Sequence, residues 1–225
     1  MHLKFLLAGD GGQGIQTIAD IICKAVFEAG HYVSFIPNFG LEQRGGVSLA
    51  FIQMSDQEIG YPKFTKPDIL LIMSEQARER TTGYQSFVIP TEGRPKEAVV
   101  EESFGSKVKR FLDSGRLRRP PLGMTVIDIA DYKEKFATDQ IQTTNQNIFF
   151  LGVLAKELEV QGICRTDDIL KLLETKLSKK PCWEENKRAF EIGTVVGLVT
   201  LDFRLYTHIC AASLLTSAIN KLFQF

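Results

Sequence analysis

Leu3-Lys4-Phe5-Leu6-Leu7-Ala8 runs directly into Gly9-Asp10-Gly11-Gly12-Gln13-Gly14, and apolar residues then recur at helical spacing. This pattern predicts a buried strand, a glycine-rich turn and a helix. Glycine at the first, third and sixth positions of the turn allows positive φ, close approach of a ligand and close packing of the helix on the strand. Because the first N–H groups of a helix lack intrahelical partners, the glycine turn, residues 9–14, is predicted to bind a phosphate or carboxylate.

The glycines alone do not fix which ligand binds, since tight strand-to-helix turns also use glycine for steric reasons. NAD is disfavoured, because the second predicted strand, residues 31–36, runs into Pro37 and Asn38 without the carboxylate that would hold a ribose. A rival is the thiamine diphosphate motif, in which Asp10 and Asn38 would hold magnesium through oxygen ligands. Against this rival, Phe39 stands where that motif commonly has a second asparagine.

Composition places the chain among ordinary globular proteins. The 225 residues, 44% of them hydrophobic, suffice for one domain with a sizeable core. Since 27 basic residues balance 27 acidic ones, neither nucleic acid nor a membrane surface is the expected partner. The four cysteines stand singly, without the close pairs that hold zinc or an iron–sulfur cluster. No signal peptide or membrane-spanning stretch is recognised, so a cytoplasmic location is expected.

Strands and helices alternate along the rest of the chain. Apolar residues follow a helical spacing from Ile15 to Val26, and Gly30 stands where a C-terminal cap would be. A second glycine-rich loop covers residues 39–46. Strands are predicted at residues 47–54, 69–73, 87–90 and 124–129, and helices at residues 148–158, 166–177 with Thr166 as N-cap, and 184–199. The alternation predicts an α/β fold, a three-layer α/β/α sandwich with a mostly parallel sheet.

Two segments differ from this pattern. The stretch at residues 101–123 is polar and rich in lysine and arginine, which predicts a solvated helix face and loop or a docking strip for an acidic partner. The tail at residues 201–225 carries an apolar stripe near helical spacing, interrupted by charges. We expect the tail to pack as a helix against another subunit or against its own domain. The predicted organisation is one domain over residues 1–200, with the basic insert, and a C-terminal helical tail.

Three stretches together carry a resemblance to a known family. They are Gly9-Asp10-Gly11-Gly12-Gln13-Gly14-Ile15-Gln16-Thr17, residues 39–48, which include Arg44-Gly45-Gly46, and Lys66-Pro67-Asp68-Ile69-Leu70-Leu71. In order and spacing they resemble the gamma subunit of the 2-oxoacid:ferredoxin oxidoreductases, which act on pyruvate, ketoisovalerate or 2-oxoglutarate. Residues 147–152 and 186–193 are similar to the closing helices of that family. The basic insert and the tail look longer than the family's usual version.

The resemblance implies a subunit of an enzyme that oxidatively decarboxylates a 2-oxoacid, transfers the acyl group to coenzyme A and reduces ferredoxin. It also implies that thiamine diphosphate, magnesium and iron–sulfur clusters lie on partner subunits. The phosphates of coenzyme A suit a glycine turn at a helix N-terminus with an arginine in the next loop. The expected coenzyme A contacts are Gly9, Asp10, Gly11, Gly12, Gln13, Gly14, Thr17, Arg44, Gly45 and Gly46.

No residue of this chain is predicted to be catalytic or to bind a metal. The three histidines, His2, His31 and His208, stand singly, so none is a convincing general base. We therefore expect the isolated chain to be inactive. Two other hypotheses stay open at this point: a stand-alone nucleotide- or thiamine-diphosphate-binding protein, and a structural subunit without a ligand.

Overall fold

A five-stranded sheet forms the centre of the computed structural model, which describes residues 1–38, 46–85, 124–179 and 182–197. The order of strands across the sheet is β2-β3-β1-β4-β5. The strands are β1 (His2–Asp10), β2 (Tyr32–Asn38), β3 (Val47–Ser55), β4 (Ile69–Ile72) and β5 (Thr125–Asp128). β4 runs parallel to β1 and to β5, whereas β3 runs antiparallel to both β1 and β2. Four strands therefore share one direction, and the predicted mostly parallel sheet is confirmed.

Helices cover both faces of the sheet, as the predicted three-layer sandwich requires. In chain order they are α1 (Ile15–Glu28), α2 (Glu75–Arg80), α3 (Thr82–Gln85), α4 (Lys133–Thr138), α5 (Gln146–Val160), α6 (Thr166–Leu177) and α7 (residues 183–197). Short 3-10 helices, Ile129–Tyr132 and Thr143–Asn145, precede α4 and α5. Buried residues of α1, α4, α5, α6 and α7 form one apolar cluster with one face of the sheet. Buried and half-buried residues of α2 and α3 form a smaller cluster with the other face.

Aromatic side chains fill the larger cluster. Phe149 and Phe150 of α5 are fully buried, and each meets Phe136 of α4 edge to face, with ring centroids 5.1 and 5.9 Å apart. Tyr132 contacts all three rings. Burial of one large apolar side chain contributes about 1.5–3 kcal/mol, so this aromatic group is a major source of the stability of the helical layer.

Glycines allow α5 and α7 to cross at backbone contact. A Cβ atom on Gly193 would overlap the carbonyl oxygen of Phe149, and one on Gly152 would overlap the carbonyl oxygen of Phe190. A Cβ on Gly197 would lie 2.9 Å from the carbonyl oxygen of Val153. Because backbone atoms cannot move aside as a side-chain tip can, we expect this helix crossing to require glycine at both facing positions.

The predicted elements recur with small shifts at their ends. The strand predicted at residues 47–54 is β3, and its residues 48–55 are all buried, because β3 lies between β1 and β2 and is covered on both faces. The N-cap of α6 is Arg165, so the prediction of Thr166 was wrong by one residue. Thr166 instead begins the helix, and its N–H donates to Oε1 of Glu159 at 3.3 Å. The strand predicted at residues 87–90, the basic insert and the tail lie outside the described residues.

Candidate functional site

The glycine turn lies at the carboxyl edge of the parallel strands, where open α/β sheets bind ligands. β1 ends at Asp10, and α1 begins at Ile15 with Gly14 as its N-cap. Packing explains the first glycine, since a Cβ on Gly9 would lie 2.6 Å from Oε1 of Gln13 and 2.9 Å from the side chain of Ile15. The turn is therefore pressed against the start of the helix that it feeds.

The side chain of Gln13 holds the turn in place. Its Oε1 accepts the N–H of Asp10 at 2.7 Å, and its Nε2 donates to the carbonyl oxygen of Met73 at 3.0 Å, just after β4. Gln13 thus ties the end of β1 to the end of β4. Its amide oxygen and nitrogen are both engaged within the chain, which favours a supporting role over direct contact with a ligand.

Two further contacts fix the surroundings of the turn. The Oδ1 of Asp10 accepts a hydrogen bond from Oγ of Ser74 at 2.6 Å, and Ser74 caps α2 by accepting the N–H of Ala77 at 3.0 Å. The N–H of Gly11 donates to the carbonyl oxygen of Gly46 at 2.9 Å. This last bond brings the end of the second glycine-rich loop against the first. Arg44 and Gly45 lie outside the described residues.

Four N–H groups of the turn and of the start of α1 have no acceptor among the described residues. No described residue accepts a hydrogen bond from the backbone nitrogens of Gly12, Gly14, Ile15 or Gln16. Gly11 and Gly12 are exposed, and Gly14 is half-buried, so this backbone is open to a ligand. Unpaired donors at the positive end of a helix attract anions. Anion binding by the turn is compatible with these open donors and stays a prediction.

A cavity of about 240 Å³ opens beside the turn. We call it the asparagine cavity, and its lining consists of Gly14, Thr17, Thr144, Asn145, Asn147, Ile148, Leu177, Cys182 and Asn186. None of these lining residues is charged. Two of the predicted contacts, Gly14 and Thr17, lie here, and Thr17 is half-buried on the first turn of α1.

Carboxamide groups supply further hydrogen-bond donors to the asparagine cavity. Asn147 lies over the turn, since a Cβ on Gly14 would overlap its Nδ2. Asn145 is only 4% exposed and its Oδ1 accepts from Thr144, yet no described residue accepts a hydrogen bond from the Nδ2 of Asn145 or of Asn147. The Nδ2 groups of buried Asn145 and half-buried Asn147 are thus open to a hydrogen-bond acceptor in the cavity.

Three helix N-termini meet at the asparagine cavity. Gly14 is the N-cap of α1, Asn145 is the N-cap of α5, and Cys182 immediately precedes α7. Each of these helices contributes a partial positive charge at this end, while the carboxyl end of α6, at Leu177, contributes a partial negative one. Sequence reasoning missed this arrangement, because residues 145–147 and 186 meet the glycine turn only in the folded chain.

The other half of the carboxyl edge is closed by ion pairs. Arg78 of α2 donates to both carboxylate oxygens of Asp128 at 2.7 Å, and it also pairs with Glu75. These contacts raise the pKa of Arg78 further above its usual range, the bond from Asp128 contributing most. Burial, reinforced by the charge of Asp128, raises the pKa of the neighbouring Asp131 carboxyl. The guanidinium of Arg78 is thus engaged by carboxylates of the chain itself.

The structure does not bring together the residues of the thiamine diphosphate alternative. Asn38 ends β2, and β3 separates β2 from β1, so the two strands lie roughly 9–10 Å apart. The carboxylate of Asp10 binds Ser74 after β4, on the opposite side of β1 from Asn38. In the described part of the chain, no group of three or more metal-ligating side chains clusters.

The described histidines lie away from the turn. His2 begins β1, with its Nε2 2.8 Å from Oε1 of Gln53, and His31 immediately precedes β2. Both are therefore at the amino ends of parallel strands, at the edge opposite the glycine turn.

Within residues 1–38, 46–85, 124–179 and 182–197, no helix is long and apolar enough to cross a membrane.

Comparison with known proteins identifies the class to which this fold and turn belong. Residues 4–195 match the family described as pyruvate ferredoxin/flavodoxin oxidoreductase. The match covers most of the chain, so the chain belongs to this family. The resemblance found in the sequence is confirmed.

Curated relatives include a common gamma subunit of pyruvate/ketoisovalerate oxidoreductases from Pyrococcus furiosus. It is 26% identical over 187 residues, which cover 80% of this chain and 89% of the relative. The 2-oxoglutarate synthase subunit KorC of Methanothermobacter marburgensis is 42% identical over 78 residues. That match covers 34% of this chain and 42% of KorC, so the chain spans less than half of that relative's length.

Solved structures share the fold at low sequence identity. The gamma subunit of a keto/oxoacid ferredoxin oxidoreductase from Geobacter sulfurreducens has a TM-score of 0.56 at 19% identity, covering 88% of this chain and 99% of that chain. A 2-oxoglutarate:ferredoxin oxidoreductase from Magnetococcus marinus, solved with 2-oxoglutarate, coenzyme A and succinyl-CoA bound, has a TM-score of 0.62 at 19% identity. This second match covers 88% of the present chain and 31% of the other.

Proposed function

We propose that this chain is the gamma subunit of a multi-subunit 2-oxoacid:ferredoxin oxidoreductase and that its glycine turn binds the phosphate groups of coenzyme A. The observation that carries the proposal is that the backbone N–H groups of Gly12, Gly14, Ile15 and Gln16, beside the asparagine cavity, have no acceptor among the described residues. A phosphate needs several donors at once, and a helix N-terminus provides them together with a favourable field.

Coenzyme A is favoured over a dinucleotide by what the site contains and lacks. Asn38 ends β2 without a carboxylate for a ribose, and Asp10 is bound to Ser74. The amide nitrogens of Asn145 and Asn147 provide donors for phosphate oxygens beyond the turn itself. A relative of the same fold was solved with coenzyme A bound, which supports the same ligand here.

The division of labour between subunits is part of the proposal. Thiamine diphosphate, magnesium and the iron–sulfur clusters would lie on partner subunits, and this chain would contribute coenzyme A contacts and surfaces for assembly. The described histidines, His2 and His31, lie at the edge of the sheet opposite the turn, where they cannot act on a ligand bound there. We therefore expect no oxidation of a 2-oxoacid by the isolated chain with any electron acceptor. Turnover by the purified chain alone would refute this assignment.

The test is the dependence of the assembled enzyme on coenzyme A after substitution of Asn147. Asn147→Ala removes one neutral donor from the asparagine cavity, so we expect the KM for coenzyme A to rise about 2- to 10-fold. The KM for the 2-oxoacid should stay unchanged, because the chemistry lies elsewhere. A matched control is Gln57→Ala, which removes an exposed carboxamide at the opposite edge of the sheet. A normal coenzyme A dependence for Asn147→Ala in an intact complex would favour a purely structural subunit.

A further inference from the structure

Cys182 has an unusual position among the described cysteines. It is exposed, it immediately precedes α7, and it lines the asparagine cavity. Its Sγ accepts a hydrogen bond from Nδ2 of Asn186 at 3.4 Å, and the N–H of Asn186 donates to its carbonyl oxygen at 3.1 Å. The exposed position leaves this sulfur accessible to a small disulfide, with which a cysteine reacts as its thiolate.

The other described cysteines are protected. Burial, with a smaller contribution from the charge of Asp20, raises the pKa of the Cys23 thiol to about 12. Burial also raises the pKa of the Cys164 thiol to about 12, with Asp168 and Glu159 adding to it. Both thiols are therefore neutral at physiological pH and poor nucleophiles. They provide internal references for the reactivity of Cys182 in the same molecule.

Two buried carboxamides line the cavity beside Cys182. Asn145 and Asn186 are 4% and 5% exposed, and both line the cavity. No described residue accepts a hydrogen bond from Nδ2 of Asn145. This amide and the N–H groups of the glycine turn that have no described acceptor provide donors within the same small space as the sulfur, whereas Nδ2 of Asn186 already donates to Sγ. A molecule with a carboxylate or phosphate close to its own sulfur could use both.

We propose that Cys182 is a site of reversible thiol–disulfide exchange with small disulfides that carry an anionic group, and that the adduct occupies the asparagine cavity. The Cys182 thiolate attacks one sulfur of the disulfide, so that a new bond forms to Sγ and the original S–S bond breaks. The other half leaves as a thiolate and takes up a proton from water. One disulfide is consumed and one is formed, so no further oxidant or reductant is required.

The adduct would regulate the site of the proposed function. A group attached to Sγ of Cys182 fills space that a bound phosphate ester would need, so modification should weaken coenzyme A binding. This consequence rests on the proposed function, whereas the exchange reaction itself does not. Oxidised glutathione carries carboxylates a few bonds from its sulfur, whereas coenzyme A disulfide carries phosphates at the far end of its pantetheine arm, so the two reagents distinguish a nearby carboxylate from a distant phosphate as the source of negative charge.

The experiment measures exchange at each cysteine of the full chain by peptide mapping and mass spectrometry. The reagents are oxidised glutathione, coenzyme A disulfide, the neutral 2-hydroxyethyl disulfide and the cationic cystamine, each applied to the folded chain and to the chain in urea. In the folded chain we expect modification at Cys182. The ratio of its reactivity toward the anionic reagents to its reactivity toward the neutral one should be at least about threefold higher in the folded chain than in urea, as expected for one to two added hydrogen bonds. Asn145→Ala should reduce that preference about 2- to 10-fold, provided that its melting temperature shows a folded chain.

Cys182→Ser is the control for position, since serine also suits a residue that precedes a helix. It should abolish the modified peptide. Equal or lower reactivity toward the anionic reagents than toward the neutral one, or modification mainly at Cys23, Cys164 or Cys210, would overturn the proposal. Selective exchange at Cys182 together with absent coenzyme A binding by the unmodified complex would support the exchange and refute only the proposed function.

Discussion

Two groups of glycines in this molecule differ in what surrounds them. At the crossing of α5 and α7, a Cβ atom on Gly152 or Gly193 would overlap a backbone carbonyl oxygen. In the glycine turn, a Cβ on Gly12 would meet nothing within 4 Å, although its φ of 97° is one that other residues rarely adopt. The first group is required by packing and the second by backbone conformation and open space.

The difference separates glycines that stabilise the fold from those that leave room for a ligand. Gly14 lies between these cases, because its φ is 75° and a Cβ there would overlap only the side-chain Nδ2 of Asn147. Gly9 belongs with the packing group, since the side chains of Gln13 and Ile15 fill the space beside it. A glycine-rich motif therefore contains glycines with different roles, and only the glycines that face open space indicate ligand binding.

The largest loss of stability is expected from a substitution at the crossing of α5 and α7. Gly193→Ala forces α5 and α7 apart or distorts their backbones, and we expect the free energy of unfolding to fall by about 3–5 kcal/mol. Urea denaturation of the chain would measure it. The matched control is Gly83→Ala in α3, where a Cβ meets nothing within 4 Å. That change should be neutral or stabilise by up to about 1 kcal/mol, since alanine favours helix more than glycine does. Equal stabilities for the two variants would contradict the packing account.

Removal of the Gln13 side chain, which supports the glycine turn, should have an intermediate effect on the stability of the chain. Gln13→Ala removes the hydrogen bonds to the N–H of Asp10 and the carbonyl of Met73, so we expect a loss of about 1–3 kcal/mol of unfolding free energy. Gln13→Glu is the matched variant, because glutamate can accept from Asp10 but cannot donate to Met73. Its stability should not exceed that of wild type at neutral pH. A stable Gln13→Ala chain with a raised KM for coenzyme A would instead make Gln13 a direct ligand.

Substitution of the ligand-facing glycine, Gly12, should lower the stability less and weaken coenzyme A binding more. Gly12→Ala places a Cβ at positive φ in open space, which is expected to lower the unfolding free energy by about 1–2 kcal/mol. The same Cβ stands where the proposed phosphate approaches the backbone. The KM for coenzyme A in the assembled enzyme should therefore rise well beyond any change caused by Gly193→Ala in molecules that remain folded. Similar coenzyme A dependence in both variants would remove the distinction between the two groups of glycines.

The smallest effect is expected at an ion pair that touches neither group. Glu159 accepts from Nζ of Lys156 at 2.6 Å, and this bond is the main cause of its lowered pKa. The contribution is fully present above the unfolded pKa of about 4.3 and is lost as the pH falls through the lower folded value. Because both side chains are partly exposed, Glu159→Gln should cost less than about 1 kcal/mol at pH 7 and nothing near pH 2. Urea denaturation across this pH range, with an unchanged KM for coenzyme A, would check it.

The sequence predicted the parts of the fold that depend on neighbours along the chain. The apolar run at residues 3–8 and the glycines after it identified β1, the turn and α1, because strand period, turn chemistry and helix period are all local signals. The antiparallel position of β3 between β1 and β2 was not predicted, since an apolar run does not state its direction. The α6 N-cap was misplaced by one residue, because a distant side chain, Glu159, satisfies the N–H of Thr166.

The candidate site could be predicted only in part, for the same reason. The glycines of the turn predicted an anion site from the sequence. The hydrogen bond by which Gln13 joins β1 to β4 could not be predicted, because its acceptor, Met73, is 60 positions away. The asparagine cavity joins residues 14, 145, 147 and 186, and no spacing rule connects them. The crossing at Gly152 and Gly193 likewise pairs glycines that look unremarkable in the sequence. The glycine turn could therefore be located from local sequence, whereas the asparagine cavity depends on tertiary packing.

The central claim is that the phosphates of coenzyme A contact the glycine turn, and a structure of the assembled complex with coenzyme A bound tests it most directly. The measured quantity is the distance from the phosphate oxygens to the backbone nitrogens of Gly12, Gly14, Ile15 and Gln16. We predict at least two such distances within about 2.7–3.2 Å, the range of N–H···O hydrogen bonds. Phosphates bound away from this turn and from Asn147, in a complex that turns over, would contradict the account.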